Sequence, residues 1–443
     1  MTKRLIPTHN TMPGDSDPVT YVRPFRALRY DTSRVDLGRV IVPPYDVISA
    51  DDRTVFYDRD PHSAIRLELT QKVEDESATD YASIREYLDD WRAEGVLVRD
   101  EHPAFYGLRQ RFSAPDGTTH ERDGFFALLH LEDYEARIVR PHELTLAGPK
   151  ADRLKVMKAS QANLSVVFML YEDRQGVLAS EVESQYSTKP IGIARDDTGA
   201  VHTLTRWDDP DINQSVRNVL DTRPVVIADG HHRYETALAY RDEQRAMNPD
   251  AGPNAPFEFI LAYFANLYAP GTLLLPIHRL IVDGEMPAAE VWKARLPDWE
   301  QRSVAIESPE SIPQLLEEHL APLADQHAFA ADDASGELRI FCRQRETGDD
   351  LTIRVIHRDV IAGVFELDEA VVRGGAIQYP KSALRTARDL REGHGAVALY
   401  TNPLTAEEVF AVTAAGEVLP QKSTFFFPKL PTGLVFRPIE DRV

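Results

Sequence analysis

The stretch Val225 to Tyr240, VVIADGHHRYETALAY, limits the fold more than any other part of this chain. Four apolar residues deliver the chain to Asp229 and Gly230, and helix-forming residues follow. Glycine permits a sharp turn and a close backbone approach. The pattern predicts a strand over Val225–Ala228, a tight turn, and a helix from His231 to about Arg245. Free N–H groups and the positive dipole end of that first helical turn attract anions. Arg233 adds a fork suited to phosphate oxygens. Gly230, His231, His232 and Arg233 are therefore the candidate anion-binding residues. The plain alternative is that Asp229 caps an ordinary helix. The paired histidines weigh against it, since two polar rings in a first helical turn have little packing value. His231 and Glu235 lie four apart and share a helix face, a spacing that suits a metal. Adjacent His231 and His232 point roughly 100° apart and chelate one ion poorly.

The runs Phe125–Leu131, Val166–Tyr171, Phe259–Phe264 and Thr272–Leu275 have the length and apolar content of buried strands. Between Ser77 and Trp91, the positions Tyr81, Ile84, Leu88 and Trp91 step by three and four, which predicts an amphipathic helix stopped by Gly95. From Asp283 to Gly375 the chain turns acidic and proline-interrupted, as in a peripheral insertion or small lobe. Strand-like runs return at Ala396–Tyr400 and Val409–Thr413. The expected organisation is a loose tail over residues 1–20, a main α/β domain over 21–282, an insertion over 283–375, and a segment 376–443 completing the main domain. The fold class is a mixed α/β one. Cys342, the one cysteine, sits in a strand-like run and reads as a core residue rather than a nucleophile.

Two further segments concentrate chemistry. Arg140 to Arg153 holds His142, Glu143, Lys150, Asp152 and Arg153 in a predicted loop and helix start. Glu143 is the candidate general base, poised by burial and by His142; a solvated loop in which Asp152 pairs with Arg153 is the alternative. The closing segment Gln421 to Lys429 carries Lys422 and Lys429, two of only ten lysines in the chain, around Phe425, Phe426 and Phe427. No glycine-rich run precedes Lys422, Ser423 and Thr424, which excludes a Walker loop. Phe425 and Phe427 are expected to face inward, with Lys422 kept for function. Pro43, Pro44, Tyr45 and Asp46, and likewise Pro276 to Arg279, place polar groups after prolines at the ends of apolar runs, where pockets tend to form.

IADGHHRYETAL at Ile227–Leu238 resembles the bacterial and archaeal family catalogued as domain of unknown function 1015. So do PFRALRYD at Pro24–Asp31, VPPYDVIS at Val42–Ser49, PHELT with GPKADRL, LPIHRL at Leu275–Leu280, and PQKSTFFFPKL with TGL at Pro420–Leu434. The resemblance runs from Tyr21 to about Arg437, is thin between Asp283 and Gly375, and brings no activity with it. The Asp-Gly-His-His-Arg stretch is in turn similar to the nucleotide-binding motif of the ParB/sulfiredoxin-like fold. That similarity implies a ParB-like nucleotide-binding core in which Gly230, His231, His232 and Arg233 hold the triphosphate of ATP or CTP. His231 stands where sulfiredoxin carries its reactive cysteine, which disfavours that redox chemistry.

Together these features point to a nucleotide-dependent phosphotransferase or NTPase acting on a small polar metabolite. Lys150, Arg153, Arg233 and Lys422 would meet phosphate, Glu143, His142 and Asp229 would form the catalytic set, and Asp46 or Asp229 would place Mg²⁺. A non-catalytic nucleotide-gated switch is the alternative, and a metal-dependent hydrolase the third reading. With 71 acidic against 50 basic residues, the net charge of −21 repels phosphate backbones and makes nucleic acid an unlikely partner. The single cysteine, the polar start and the lack of eighteen consecutive apolar residues lead us to expect a cytoplasmic protein without a membrane span. Few lysines and many acids are the marks of adaptation to high salt, or equally of a GC-rich genome. The salt reading predicts an unfolding midpoint that rises with added NaCl in a thermal melt; a flat response leaves the genomic one.

Overall fold

The computed structural model describes residues 20–70, 79–143, 147–221, 223–420 and 422–439. The expected tail before Thr20, and Ser77, Leu144, Thr145 and Gln421, lie outside them. The fold is mixed α/β. A nine-stranded sheet is built from β1 Val22–Arg23, β2 Phe105–Ser113, β3 Thr119–His130, β4 Val139–Arg140, β5 Val167–Tyr171, β6 Gly192–Arg195, β7 Val201–Trp207, β8 Val225–Asp229 and β9 Phe259–Asn266. Its order is β4-β8-β5-β9-β3-β2-β7-β6, with β1 on β3. Alternate residues feed opposite faces, as the period of two requires. Val226 and Ala228 join one core with Phe126, Phe168 and Tyr263; Val225 and Ile227 join the other with Phe125 and Phe264. Helix α1, Ala82–Ala93, buries Ile84, Leu88 and Trp91 of the predicted stripe, with Tyr81 half-buried at the N-cap, and Gly95 follows it in the left-handed region at φ +72°. Among the described residues no helix is long and apolar enough to cross a membrane.

A second sheet follows strand β10, Leu273–Leu275. It contains β11 Arg279–Ile281, β12 Glu300–Ala305, β13 His327–Asp332, β14 Glu337–Arg343, β15 Ile377–Gln378 and β16 Val397–Thr401, in the order β12-β14-β13-β16-β11-β15. Trp292 and Ile356 cover one face; Ile312, Ala387 and Leu390 cover the other. The strands at 377–378 and 397–401, assigned from sequence to the completion of the main domain, pair here instead. The β13–β14 hairpin needs a neighbour, and β16 supplies it. The run Val409–Thr413, read as a strand, lies in an α-helix, Ala406–Ala415, with a full capping box at Thr405 and Glu408. That helix returns Val409 and Phe410 to the main core. The chain then closes with β17, Phe425–Phe427, antiparallel to β10.

β17 is fixed from below by Arg122, a fully buried guanidinium on β3. It donates to Gln110 Oε1 at 2.5 Å, to the Phe427 carbonyl at 3.3 Å and to the Pro428 carbonyl at 2.6 Å, and lies 4.7 Å above the Phe168 ring. Burial pulls its pKa down, yet an arginine stays charged. Replacing Arg122 with Met should orphan these acceptors and cost on the order of 3 kcal/mol, at about 1–3 kcal/mol per buried group left unsatisfied. The check is the urea midpoint by circular dichroism.

Candidate functional site

β8 is buried through Ala228 and shifts register against β5 between Ile227 and Asp229. Such a bulge re-aims the strand end. Gly230 then takes φ +92°, and helix α2, His231–Met247, begins. A Cβ at Gly230 would lie 2.9 Å from Arg233 Nε, so both the angle and the close approach require glycine. Asp229 does not cap this helix: Gly230 is the N-cap, and no side chain caps it. The Asp229 carboxylate instead accepts from Arg233 Nη2 at 2.7 Å and from the Lys429 ammonium. Burial alone would raise this carboxyl, but Lys429 and Arg233 outweigh it and hold it well below the usual range.

The two sequence segments meet in space. A cavity of about 130 Å³ is lined by Asp46, His142, Glu143, Asp229, Gly230, His231, His232, Arg233 and Thr424, with Lys381, Lys422 and Lys429 among its walls. His142 is buried. Its Nδ1–H donates to the Ile227 carbonyl at 2.6 Å, and the Thr424 hydroxyl donates to its Nε2 at 2.6 Å. Its backbone N–H donates to His231 Nε2 at 3.3 Å, and the two rings meet edge to face at 4.5 Å. Desolvation lowers both imidazoles, so both are neutral near pH 7. His231 thus has the packing role that sequence reasoning denied it. His232 is half-buried, its pKa lowered by desolvation against the pull of Glu235.

Other expected phosphate contacts are committed elsewhere. Arg233 donates to Asp229 and the Val166 carbonyl, and is buried. Arg153 is buried, donates to Glu68 at 3.0 Å and to Asp152, and lies 4.2 Å over the Tyr45 ring. Lys150 bonds Glu235 at 2.7 Å, which commits the Glu235 carboxylate away from the metal reading it shared with His231. A fork among buried carboxylates and carbonyls gains more from them than from solvent, so Arg233 reaches the cavity wall already paired and Arg153 stays outside that wall. Lys422 does line it, with φ +58°, and its carbonyl accepts from the buried Arg279 at 3.3 Å. Lys381 and Lys429 lie 4.3 and 5.3 Å over the Phe425 ring. Desolvation, then Lys429 and Lys422, lower the Lys381 ammonium.

Lys381 and Thr424 were missed from sequence, and Lys429 was noted without a role. Lysine scarcity was the available signal, since three of ten lysines converge on this cavity. Phe425 and Phe427 are half-buried, while Phe426 faces inward against His142 and Phe168. The expected inward pair is off by one residue, which exchanges the faces of a strand.

The donor set decides which metals fit. His142, Glu143 and His231 bring ligand atoms within 4.8 Å of one another. Both nitrogens of His142 and Nε2 of His231 already have backbone or hydroxyl partners, so a Zn²⁺-type site would have to break them. Asp229 does not fit as a Mg²⁺ ligand, because each of its oxygens faces a cation. Asp46, exposed on the cavity wall, and half-buried Glu143 offer the hard oxygen donors that Mg²⁺ takes.

Residues 22–335 match the profile of a family described as "Protein of unknown function (DUF1015)". No curated protein matches the chain. Among solved structures, a conserved hypothetical protein from Pyrococcus furiosus is similar at 12% identity and TM-score 0.35, over 72% of this chain and 97% of that one. A free serine kinase in complex with AMP is similar at 12% identity and TM-score 0.32, over 70% and 92%. SbnI with a C-terminal truncation, from Staphylococcus aureus, is similar at 11% identity and TM-score 0.33, over 71% and 87%.

The buried imidazoles set a pH dependence. Desolvation lowers His142 and His231, and, with Arg279, takes His278 to about 3 and His357 to about 4. Between those values and the unfolded value of about 6.5 the unfolded chain binds more protons, so stability falls as pH drops below about 6.5. The Asp229 carboxylate, depressed when folded, contributes fully above its unfolded value of about 3.9 and loses its contribution only below it. Urea midpoints measured from pH 8 to 5 should decline below pH 6.5. The decline should be shallower in His278→Asn, compared with its own midpoint at pH 8.

Proposed function

Because the chain belongs to the DUF1015 family, whose description names no activity, we propose from the cavity itself that the protein is a nucleotide-dependent phosphotransferase or NTPase. The observation that carries this reading is the convergence of Lys381, Lys422 and Lys429 on the left-handed turn at Gly230, in a chain of net charge −21. Against so acidic a background, such a cluster supports a polyanionic ligand. The helix start beside it adds N–H donors. The ParB-like reading of the motif agrees with this placement of phosphate, with one change: the lysines, rather than Arg233 and Arg153, take the charge. Arg233 positions Asp229, and Asp229 positions Lys429.

Glu143 is the proton acceptor in this proposal. A hydroxyl oxygen of the acceptor attacks the terminal phosphorus, its proton passes to the Glu143 carboxylate, and the new P–O bond forms. The bridging P–O bond breaks, and the nucleoside diphosphate leaves with the electron pair. With water as the acceptor the same step is hydrolysis. Neutral His142, fixed by Ile227 and Thr424, orients the loop that carries Glu143. ATP or CTP would arrive with Mg²⁺, which Asp46 would receive and which would neutralise phosphate charge.

The test is a thermal-shift screen of ATP, CTP, GTP and their diphosphates with and without Mg²⁺. At a hundred times Kd a ligand adds about 2.7 kcal/mol, a shift of a few degrees for a chain of this size. The shift should vanish in Lys422→Ala. Glu143→Gln should keep the shift and lose about 10²–10⁴-fold in turnover of the same nucleotide. Absence of a shift with every nucleotide would retire this reading.

A further inference from the structure

A second cavity, of about 250 Å³, opens beside the first. Its walls are mostly apolar: Ile41, Val42, Pro43, Pro44, Phe427 and Pro431. The two cavities share Val47, Lys381, Phe425 and Lys429, so they are contiguous through the lysine pair and one aromatic ring. Val47, at this junction, is 38% exposed, one of the few large apolar side chains left open to solvent. The far rim is polar, carrying Arg59, Asp196 and Thr198. The Asp196 carboxylate accepts from His202 at 2.8 Å, and His202 is held by Gln110 at 3.3 Å, the same amide that receives Arg122. Arg59 donates to Asp197 and to the Ile41 carbonyl, but its buried Nε–H finds no acceptor among the described residues.

Each wall restricts the occupant. Prolines and an aromatic ring present flat apolar surfaces, which favour a planar group over a branched aliphatic one. At the rim, Asp196 is saturated by His202, Thr198 and Ala200, which leaves the exposed Asp197 carboxylate as the polar group open to the hydrogen-bonding edge of a planar ring. The cations shared with the first cavity place an anion at one end of that group. The two volumes together reach the lower part of the about 300–1,000 Å³ usual for small-molecule sites.

We infer that the apolar cavity between Pro43–Pro44 and Phe425 seats the heteroaromatic base of a nucleotide, whose phosphates lie at Lys381, Lys422 and Lys429. This rests on the phosphate-binding reading above and extends it from an anion to a whole nucleotide. The Pro43–Pro44 pair is then the platform for the base, a role that accounts for its position at the end of the apolar run before Tyr45.

The experiment separates the two cavities by titrating the protein with ATP and, separately, with inorganic tripolyphosphate in a calorimeter. Thr198→Trp fills the apolar cavity from its polar rim, and Pro43→Ala cuts back its platform; both positions line the apolar cavity and not the lysine cavity, and a melting curve confirms that each variant folds. The expected result is that ATP binds the parent chain more tightly than tripolyphosphate does, and that both variants weaken ATP at least tenfold while tripolyphosphate is unchanged. Equal affinity for the two ligands in the parent, or ATP binding that survives both substitutions, overturns the base pocket and leaves the phosphate site standing. Failure of both ligands to bind the parent overturns the phosphate site and the pocket together.

Discussion

The half-buried carboxylate of Asp229 is the interaction on which the site depends. It lies at the end of β8, pairs with Arg233 one helical turn later, and pairs with Lys429, 200 residues further along the chain. Breaking one partner of a buried ion pair leaves a desolvated charge behind, so such a triad holds its members together even where its net contribution to stability is small. Here it ties a strand end, a helix start and the closing segment. The tight passage of Arg233 beneath Gly230 explains why that turn has no side chain. The bulge before Asp229 explains how a carboxylate on a pleated strand comes to face both cations.

Arginine and lysine divide the work in this chain. Arg122 clamps the carbonyls of Phe427 and Pro428, Arg279 those of Ile277 and Lys422, and Arg437 those of Phe259 and Pro256. All three are buried, and desolvation takes Arg279 down to about 10 and Arg437 to about 9. A planar group with five donors can satisfy several carbonyls at once, which a single ammonium cannot do with the same geometry. Part of the arginine excess is therefore interior architecture and not surface charge. Lysine, with its flexible stem and point charge, supplies the cations that line the cavity.

Much of the architecture was legible because it rests on local patterns. The strand, turn and helix from Val225 onward follow from a run of apolar residues, a glycine and a helical period, and the stripe of α1 follows from spacing alone. The approach of His142 and Glu143 to Gly230 was left open by the sequence, because no local rule sets the distance between residues 88 and 87 positions apart. The errors have physical causes. Val409 to Thr413 is apolar enough for a strand, but the capping box at Thr405 and Glu408 decides for a helix. Phe425 and Phe427 follow an aromatic pattern that fits either face, and the pairing with β10 chooses. Arg153 and Arg233 carry the right chemistry for phosphate, yet carboxylates 4 and 85 residues away in sequence, Asp229 and Glu68, claim them first.

β10 and β17 pair with each other outside the main sheet, so the chain between Leu275 and Phe425 leaves and returns along two neighbouring strands. In covalent terms the second sheet hangs from that one two-stranded stalk, while the helix Ala406–Ala415 packs back on the main core. Lys381 rides on that hanging body, whereas Lys429 is anchored to the main sheet through Asp229. The gap between the two ammonium groups is thus a measure of how the body is oriented. An anion that bridged them would act as a strut, adding a tie at the cavity to the stalk.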